Sequence, residues 1–283
     1  DCRLPYSSQN PAITKQAQNK PCIKILSKSD LADPEMTEQW QDYFERVKSV
    51  KTLLTTLDQP ETIQRLMSLV RELVPHKSKS RTHVLAMITG IPNVGKSSLI
   101  NILAGRKVAK TGNEPAITKG LQRIRIQDEL ILLDTPGILW PKIHNENSGY
   151  RLAVSGAIRD TATEVEDLAF YLTAYLLEYH PGLLVDRYNL DAIPKSDVEF
   201  LEELGARRGC LRAGGHVDLE KVSSILVNEF RSGTLGRISL ETPDMILAEE
   251  KIVKARQDIE AAKQEQKKRN KQSSRGLGKK NQS

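Results

Sequence analysis

The chain has 283 residues, of which 39% are hydrophobic and 28% charged, and its formal net charge is +6. This is the composition of an ordinary soluble globular protein. A run of about 18 apolar residues, which a transmembrane helix needs, is missing from the sequence, and so is the pattern of a secretory signal. Three widely separated cysteines (Cys2, Cys22 and Cys210) indicate neither a disulfide framework nor a structural zinc site. We therefore expect a cytoplasmic protein without stable membrane association.

The first half of the chain alternates between strand and helix patterns. Short apolar runs predict strands at residues 23–27, 50–57, 83–89, 121–126 and 130–134. Apolar residues at helical spacing predict helices at residues 37–47, 61–74 and 96–104. Strands that alternate with helices predict an α/β fold, in which a mostly parallel sheet carries helices on both faces. We assign residues 1–145 to this domain.

Beyond Trp140 the pattern becomes purely helical. Helices are predicted at residues 161–179, 196–204 and 218–230. The pairs Thr161/Glu164 and Ser196/Glu199 have the spacing of capping boxes. Gly205 is expected to end the second of these helices. We assign residues 146–240 to a small all-α domain.

The remaining residues, 241–283, form a basic tail that is predicted to be helical or disordered. Between Ala261 and Ser283, eight lysines and arginines accompany a single acid, Glu265, so the rest of the chain is close to neutral. Such a tail favours a polyanionic partner, and it favours RNA over a membrane because no large apolar face accompanies the charge. The alternative is a solvated tail that aids solubility.

A phosphate-binding loop is the most specific signal in the sequence. Residues 90–97 (GIPNVGKS) match G-x-x-x-x-G-K-[ST] in full, after a predicted strand and before a predicted helix. In this motif backbone N–H groups surround the phosphates, Lys96 places a point charge at the β and γ groups, and Ser97 supplies a hydroxyl to Mg²⁺. The residues predicted to contact the nucleotide here are Asn93, Val94, Gly95, Lys96, Ser97 and Ser98.

Two further elements fit the chemistry of phosphoryl transfer. Residues 134–137 (DTPG) follow an apolar strand, so Asp134 is predicted to hold Mg²⁺ through water and the Gly137 amide to face the γ-phosphate. Thr118 stands where a switch threonine reaches Mg²⁺, although a surface threonine is the alternative. Lys96, Thr118 and Gly137 are the predicted catalytic residues, and Ser97, Thr118 and Asp134 are the predicted Mg²⁺ ligands.

A guanine-reading motif precedes the phosphate loop instead of following it. No Asn-Lys-x-Asp sequence lies after Gly90, but the first predicted strand ends in Ser27-Lys28-Ser29-Asp30. Asp30 is predicted to accept hydrogen bonds from guanine, and the Lys28 stem to cover the base. A second recognition loop is predicted at Thr55 and Thr56. This order predicts a circularly permuted P-loop GTPase domain.

On these motifs the chain resembles the YlqF/RbgA family of permuted ribosome-assembly GTPases. The matching stretches are residues 1–5, 27–30, 90–98, 115–118, 134–142, 151–158, 208–211 and 214–215. The resemblance covers residues 1 to about 243. It implies GTP/GDP binding and GTP hydrolysis coupled to late maturation of the large ribosomal subunit, with the helical domain helping to contact rRNA. We expect no DNA partner and a monomer.

The chain departs from the family pattern in three places. Ser27 replaces the family's Asn, which predicts weaker guanine affinity, and Thr55-Thr56 replaces an Asn/Ser-type loop. Family members also begin about thirty residues earlier, with a strand and a helix whose His has been proposed as catalytic. The chain begins at Asp1, so we expect an N-terminally incomplete member with weak hydrolysis and an exposed sheet beside the phosphate loop.

The sequence leaves two alternatives for the role of Asn93 and two for the function of the chain. Ile138, Leu139 and Trp140 follow Gly137, so this loop offers no Gln to orient the attacking water. Asn93 is a candidate ligand for K⁺, and the alternative is an Asn that bonds loop backbone. The functional hypothesis is a GTPase that assists ribosome assembly, and the alternative is a scaffold that holds GTP on RNA or the ribosome without hydrolysing it.

Overall fold

The computed structural model describes residues 1–17, 20–56, 61–75, 83–109, 122–127, 129–137, 139–158 and 164–280, with side chains up to residue 267. Within these residues no helix is long and apolar enough to cross a membrane. The chain divides into two compact units, Asp1–Thr242 and Pro243–Ser283. A division of the first unit near residue 145 stays a prediction.

One parallel pair of strands comes first along the chain. A short helix, α1 (Pro11–Gln16), precedes strand β1 (Cys22–Ser27), and helix α2 (Pro34–Glu45) connects β1 to its parallel neighbour β2 (Val50–Thr55). Helix α2 begins as its sequence demands, since Asp33 caps it by accepting a hydrogen bond from the Met36 N–H at 2.9 Å. Helix α3 (Thr62–Leu73) follows β2.

The other described strands form a three-stranded sheet in the order β3, β5, β4. Strand β3 (Val84–Ile88) pairs in parallel with β5 (Leu130–Asp134), and helix α4 (Lys96–Ala104) follows β3. Strand β4 (Gln122–Ile126) pairs with β5 in antiparallel fashion. Residues 127–129 separate β4 from β5, too few for a parallel crossover, and Gln127 has a φ of 51°.

A shared hydrophobic core lies between these strands and helices. It joins residues from both sheets, from α3 and α4, and from the segment after α4: Leu53, Leu66, Met67, Val70, Leu99, Ile100, Leu103, Ala109, Ile124, Ile126, Leu130 and Leu132. The prediction of an α/β fold with helices packed on the strands is confirmed. Leu85 and Met87 alternate with the core-facing residues of β3 and are 56% and 59% exposed.

The rest of the first unit is helical. Its helices are α5 (Glu146–Val154), α6 (Val165–Tyr179), α7 (Pro181–Tyr188), α8 (Asp197–Arg207) and α9 (Leu219–Ser232). Thr161, one half of a predicted capping box, lies outside the described residues. In the second predicted box Ser196 accepts from the Glu199 N–H at 3.1 Å, whereas the Glu199 carboxylate accepts from the Lys195 N–H at 2.6 Å.

The sequence placed the end of α8 wrongly at Gly205. The helix continues to Arg207, and the chain turns at Gly209, whose φ is 63°. Gly205 is required for a different reason, because a Cβ there would lie 2.4 Å from Val217 Cγ1. Close packing, which no local pattern encodes, therefore explains this glycine. Residues Pro243–Lys280 form one helix, α10.

A buried carboxylate, Glu241, joins the two ends of the first unit. It accepts hydrogen bonds from the N–H groups of Tyr6 and Ser7 and from the Ser7 hydroxyl. The Arg151 guanidinium lies 3.6 Å away, and both side chains are almost fully buried. The Glu241 carbonyl also accepts from Trp40 Nε1 at 3.0 Å. Burial raises the pKa of the Glu241 carboxyl, and Arg151 opposes that rise.

We expect Glu241→Ala to lower the free energy of unfolding by about 3–5 kcal/mol, because it leaves Arg151 buried without its carboxylate partner. Glu241→Gln keeps an acceptor and should cost less. The measurement is denaturant unfolding at neutral pH. Glu202→Ala on the exposed face of α8 serves as the control and should stay within about 0.5 kcal/mol. Equal losses in the Glu241 and Glu202 variants would contradict this assignment.

Candidate nucleotide-binding site

The phosphate loop connects the end of β3 to the start of α4, as its sequence predicts. Gly95 caps α4 with φ 87°, a conformation that favours glycine, and its carbonyl accepts from the Leu99 N–H at 2.9 Å. Asn93 adopts a positive φ of 59°. Ser97 and Ser98 lie in the first turn of α4 and are half-buried. The helix N-terminus therefore faces the loop, which is the arrangement that favours bound phosphate.

Lys96 and Asp134 lie in direct contact. The Lys96 Nζ donates to Asp134 Oδ1, with the Asp134 side chain 1% exposed at the carboxyl end of β5. The two residues come from segments 38 positions apart, and the parallel pairing of β3 with β5 brings them to one edge of the sheet. The cation predicted to bind phosphate and the carboxylate predicted to hold Mg²⁺ thus share one location.

The turn after Asp134 packs tightly on the phosphate loop. A Cβ at Gly137 would lie 3.2 Å from the Pro92 backbone nitrogen and 3.5 Å from the Ile91 carbonyl carbon. Thr135 Oγ1 donates to the Ile88 carbonyl at 2.9 Å, which anchors the turn to β3. Any side chain at position 137 would push these two loops apart.

The predicted base-reading loop also contacts the phosphate loop. Ser27 Oγ donates to the Val94 carbonyl at 2.6 Å, and Ser29 Oγ donates to the Thr55 carbonyl at 3.3 Å. The serine that replaces the family's Asn therefore links the two loops directly. Thr56, in the second predicted recognition loop, is half-buried beside the buried Thr55.

The Asp30 side chain is exposed, whereas Lys28 is held in place. Lys28 adopts φ 58°, and its Nζ lies 3.2 Å from Asp1 Oδ2. Asp1 in turn receives two hydrogen bonds from the Arg3 guanidinium at 2.9–3.0 Å. Burial, together with the nearby positive charge of Arg3, lowers the pKa of Lys28 to about 8. Asp30 follows Lys28 in a short 3₁₀ turn, Ser29–Leu31, with its carboxylate open to solvent.

The end of α5 and the turn after it contact both the phosphate loop and α9. Asn93 Nδ2 donates to the Gly156 carbonyl at 2.8 Å, so its partner is backbone outside its own loop. Arg231 on α9 donates to the Val154 and Ala153 carbonyls, both at 2.9 Å, at the end of α5. Residues 151–158 belong to the stretches that carry the family resemblance, but nothing local marks Arg231 as their partner.

The structure thus brings most of the predicted site residues to one edge. The loops containing Ser27–Asp30, Thr55, Asn93–Ser97 and Asp134–Gly137 all follow parallel strands or open the helix after one. Thr118 lies outside the described residues, so its predicted place beside Mg²⁺ stays a prediction. Ligands bind at this edge in α/β sheets of this kind.

Comparisons with known proteins agree with this geometry. A family model described as "50S ribosome-binding GTPase" matches residues 85–174. Ribosome biogenesis GTPase A of Priestia megaterium is 42% identical over 251 residues, covering 86% of this chain and 87% of that protein. Mitochondrial ribosome-associated GTPase 1 of Ictalurus punctatus is 33% identical and covers 85% of this chain and 83% of its own length.

Solved structures agree as well. A GDP-bound structure of TM YlqF matches with a TM-score of 0.63 and 26% identity, covering 86% of this chain and 92% of that one. GNP-bound YlqF from Thermotoga maritima matches with a TM-score of 0.60, again at 26% identity, covering 87% and 91%. With a relative at 42% identity matched along most of its length, the chain belongs to the YlqF/RbgA family of circularly permuted GTPases and is a GTPase of ribosome biogenesis.

Proposed function

We propose that the chain binds Mg²⁺·GTP along the edge formed by its base-reading and phosphate loops, and hydrolyses it while engaged with rRNA of the large ribosomal subunit. The observation that carries this proposal is the hydrogen bond from Ser27 Oγ to the Val94 carbonyl, which fixes the spacing between the two loops. One nucleotide then spans both loops, with its base at Asp30 and its phosphates at Lys96.

Guanine recognition rests on the exposed carboxylate of Asp30. It accepts the N1–H and the exocyclic amine of guanine, two donors that adenine does not present in this arrangement. The aliphatic stem of Lys28 covers the base, and the Asp1 carboxylate holds the Lys28 ammonium in an ion pair. Thr55 and Thr56 contact the base through their backbone groups.

The residues present fit a magnesium ion at the phosphates. Asp134 supplies carboxylate oxygens beside the phosphate-binding Lys96, and the Ser97 hydroxyl lies in the first turn of α4. Oxygen ligands of this kind suit Mg²⁺. Bound there, the ion neutralises charge on the β- and γ-phosphates. With GTP in the site, Lys96 would contact the phosphates, and Asp134 and Ser97 would hold the ion.

Hydrolysis in this site relies on positioning and charge neutralisation. Leu139 and Trp140 pack into a hydrophobic cluster with Leu4, Ile91 and Leu152, so they supply no group to orient water. The Gly137 N–H donates to the γ-phosphate as charge develops there. The contact of Asn93 Nδ2 with the Gly156 carbonyl leaves the Asn93 Oδ1 atom as the candidate ligand for K⁺.

Contact with RNA is assigned to the basic end of α10 and to the helical part of the first unit. The side chains of residues 254–267 are exposed along α10, and most of the basic excess of the chain lies in residues 261–283. A basic segment of this kind neutralises phosphates without reading sequence. Membership in a family of GTPases favours hydrolysis over the alternative of a scaffold that only holds GTP.

We expect Asp30→Ala to weaken GDP and GTP binding by about 2–4 kcal/mol, because two charge-assisted hydrogen bonds are lost. Lys96→Ala should abolish measurable binding. Affinities are measured by titration calorimetry, with Asp42→Ala on the exposed face of α2 as the matched control. Equal affinity of the unaltered chain for ATP and GTP would exclude Asp30 as the base-reading residue.

Gly137→Ala should reduce GTP turnover about three- to tenfold while changing GDP affinity less. The added Cβ meets the Pro92 backbone at 3.2 Å and displaces the Gly137 amide by a few tenths of an ångström. Gly182→Ala is the control, because a Cβ there meets nothing within 4 Å. Turnover is measured in single-turnover assays. Unchanged hydrolysis would mean that the Gly137 amide does not contact the γ-phosphate in the transition state.

Removal of residues 261–283 should weaken binding to large-subunit rRNA and flatten its salt dependence. Each lost phosphate contact lowers the slope of log K against log salt by roughly 0.7–0.9. GDP affinity serves as the internal control and should not change. A slope that the deletion leaves unaltered would assign the tail to solubility instead of RNA contact.

A further inference from the structure

The side chain of Arg237 holds the turn that carries Asp30. Its Nε donates to the Ala32 carbonyl at 2.9 Å, and its Nη2 donates to the Ser29 carbonyl at 3.2 Å. These two carbonyls flank Asp30 on either side. Arg237 lies 205 residues beyond Ala32 in the sequence, in the segment that follows α9, so a residue outside the nucleotide motifs contacts the base-reading turn.

The next two residues of that segment continue the contact through their own hydrogen bonds. The Ile238 N–H donates to the Leu31 carbonyl at 3.0 Å, and Ser239 Oγ accepts from the Asp33 N–H at 3.2 Å. Gly233, at the end of α9, comes so close that a Cβ there would lie 2.5 Å from Leu31 Cδ2. The turn is therefore held along its whole length by one segment.

The turn needs such support for two physical reasons. Lys28 adopts a left-handed conformation, which is strained for a residue other than glycine. The 3₁₀ turn is only three residues long, so its final carbonyls lack helical partners and need other donors. The Asp30 side chain is exposed, so the backbone of the turn is what fixes the position of its carboxylate.

We propose that Arg237 is a positioning residue for guanine specificity: by bonding the Ser29 and Ala32 carbonyls it sets where the Asp30 carboxylate meets the exocyclic amine of the base. The proposal rests on the assignment of Asp30 as the residue that reads guanine. It places a determinant of nucleotide specificity in the segment that leaves the last helix of the first unit. Arg237 touches no part of the nucleotide in this role and acts only through Asp30.

The role predicts an effect on base discrimination beyond any effect on overall binding. Inosine diphosphate (IDP) lacks the exocyclic amine of GDP but keeps N1–H and the phosphates. The ratio of IDP to GDP dissociation constants therefore reports the contact between Asp30 and the amine. A charge-assisted hydrogen bond of this kind makes the ratio about tenfold or more in the unaltered chain.

The experiment measures GDP and IDP affinities for the full chain and four variants. Arg237→Met, which keeps the stem and removes the donors, should lower the ratio about threefold or more, and Arg237→Lys should restore part of it. Asp30→Ala should bring the ratio of IDP to GDP dissociation constants close to one. Arg207→Met is the matched control, because Arg207 also donates to a backbone carbonyl, that of Asn189, but contacts α8 and its neighbours instead of the turn. Thermal unfolding of each variant accompanies the titrations.

The outcomes separate this inference from the assignment of Asp30. If Arg237→Met weakens the binding of GDP and of IDP by the same factor, or weakens the binding of neither, Arg237 supports the fold alone and the inference is overturned. A ratio that falls in Asp30→Ala in the same experiment leaves the assignment of Asp30 intact. If Asp30→Ala leaves the ratio unchanged, Asp30 does not read guanine, and the role of Arg237 is overturned with it.

Discussion

The larger unit depends on the hydrogen bonds and the ion pair of one fully buried carboxylate, that of Glu241. The carboxylate accepts hydrogen bonds from N–H groups near the start of the chain and forms an ion pair with the Arg151 guanidinium of α5. The backbone carbonyl of Glu241 accepts a hydrogen bond from the Trp40 indole of α2. A charged group removed from water is tolerated only when partners replace its hydration. The segments that supply these partners are therefore fixed relative to one another, and the cluster links the start of the unit to its end.

The two ends of the unit that meet at Glu241 also contact the base-reading loop of the nucleotide site. With its start anchored, the chain runs past the base-reading loop, where the Cys2 N–H donates to the Ser27 carbonyl at 2.7 Å. The segment before Glu241 contacts the same loop, where Arg237 Nη2 donates to the Ser29 carbonyl. The loop is thus held by residues from both ends of the unit, neither of which belongs to a nucleotide motif.

The phosphate side of the site depends on the helical part in a similar way. Arg231 satisfies the last carbonyls of α5, and the Gly156 carbonyl just beyond α5 accepts a hydrogen bond from Asn93. Arg231 therefore holds the end of α5, whereas Arg237 holds the base-reading loop. The residues predicted as a separate all-α domain contribute to the frame of the site, which explains why motif analysis of the first half alone gave an incomplete description.

The sequence by itself determined the local features. Helix α4, strand β5 and the phosphate loop follow from apolar spacing and from glycines whose backbone conformation other residues rarely adopt, and the order of the motifs led to the family. Only the tertiary structure decided that Ser27 bonds Val94, that Gly205 makes room for Val217, and that Arg237 holds the turn of Asp30. The physical reason is one of distance along the chain. Periodicity and turn chemistry act between residues a few positions apart, whereas these contacts join segments up to about two hundred residues apart and depend on how the whole unit packs.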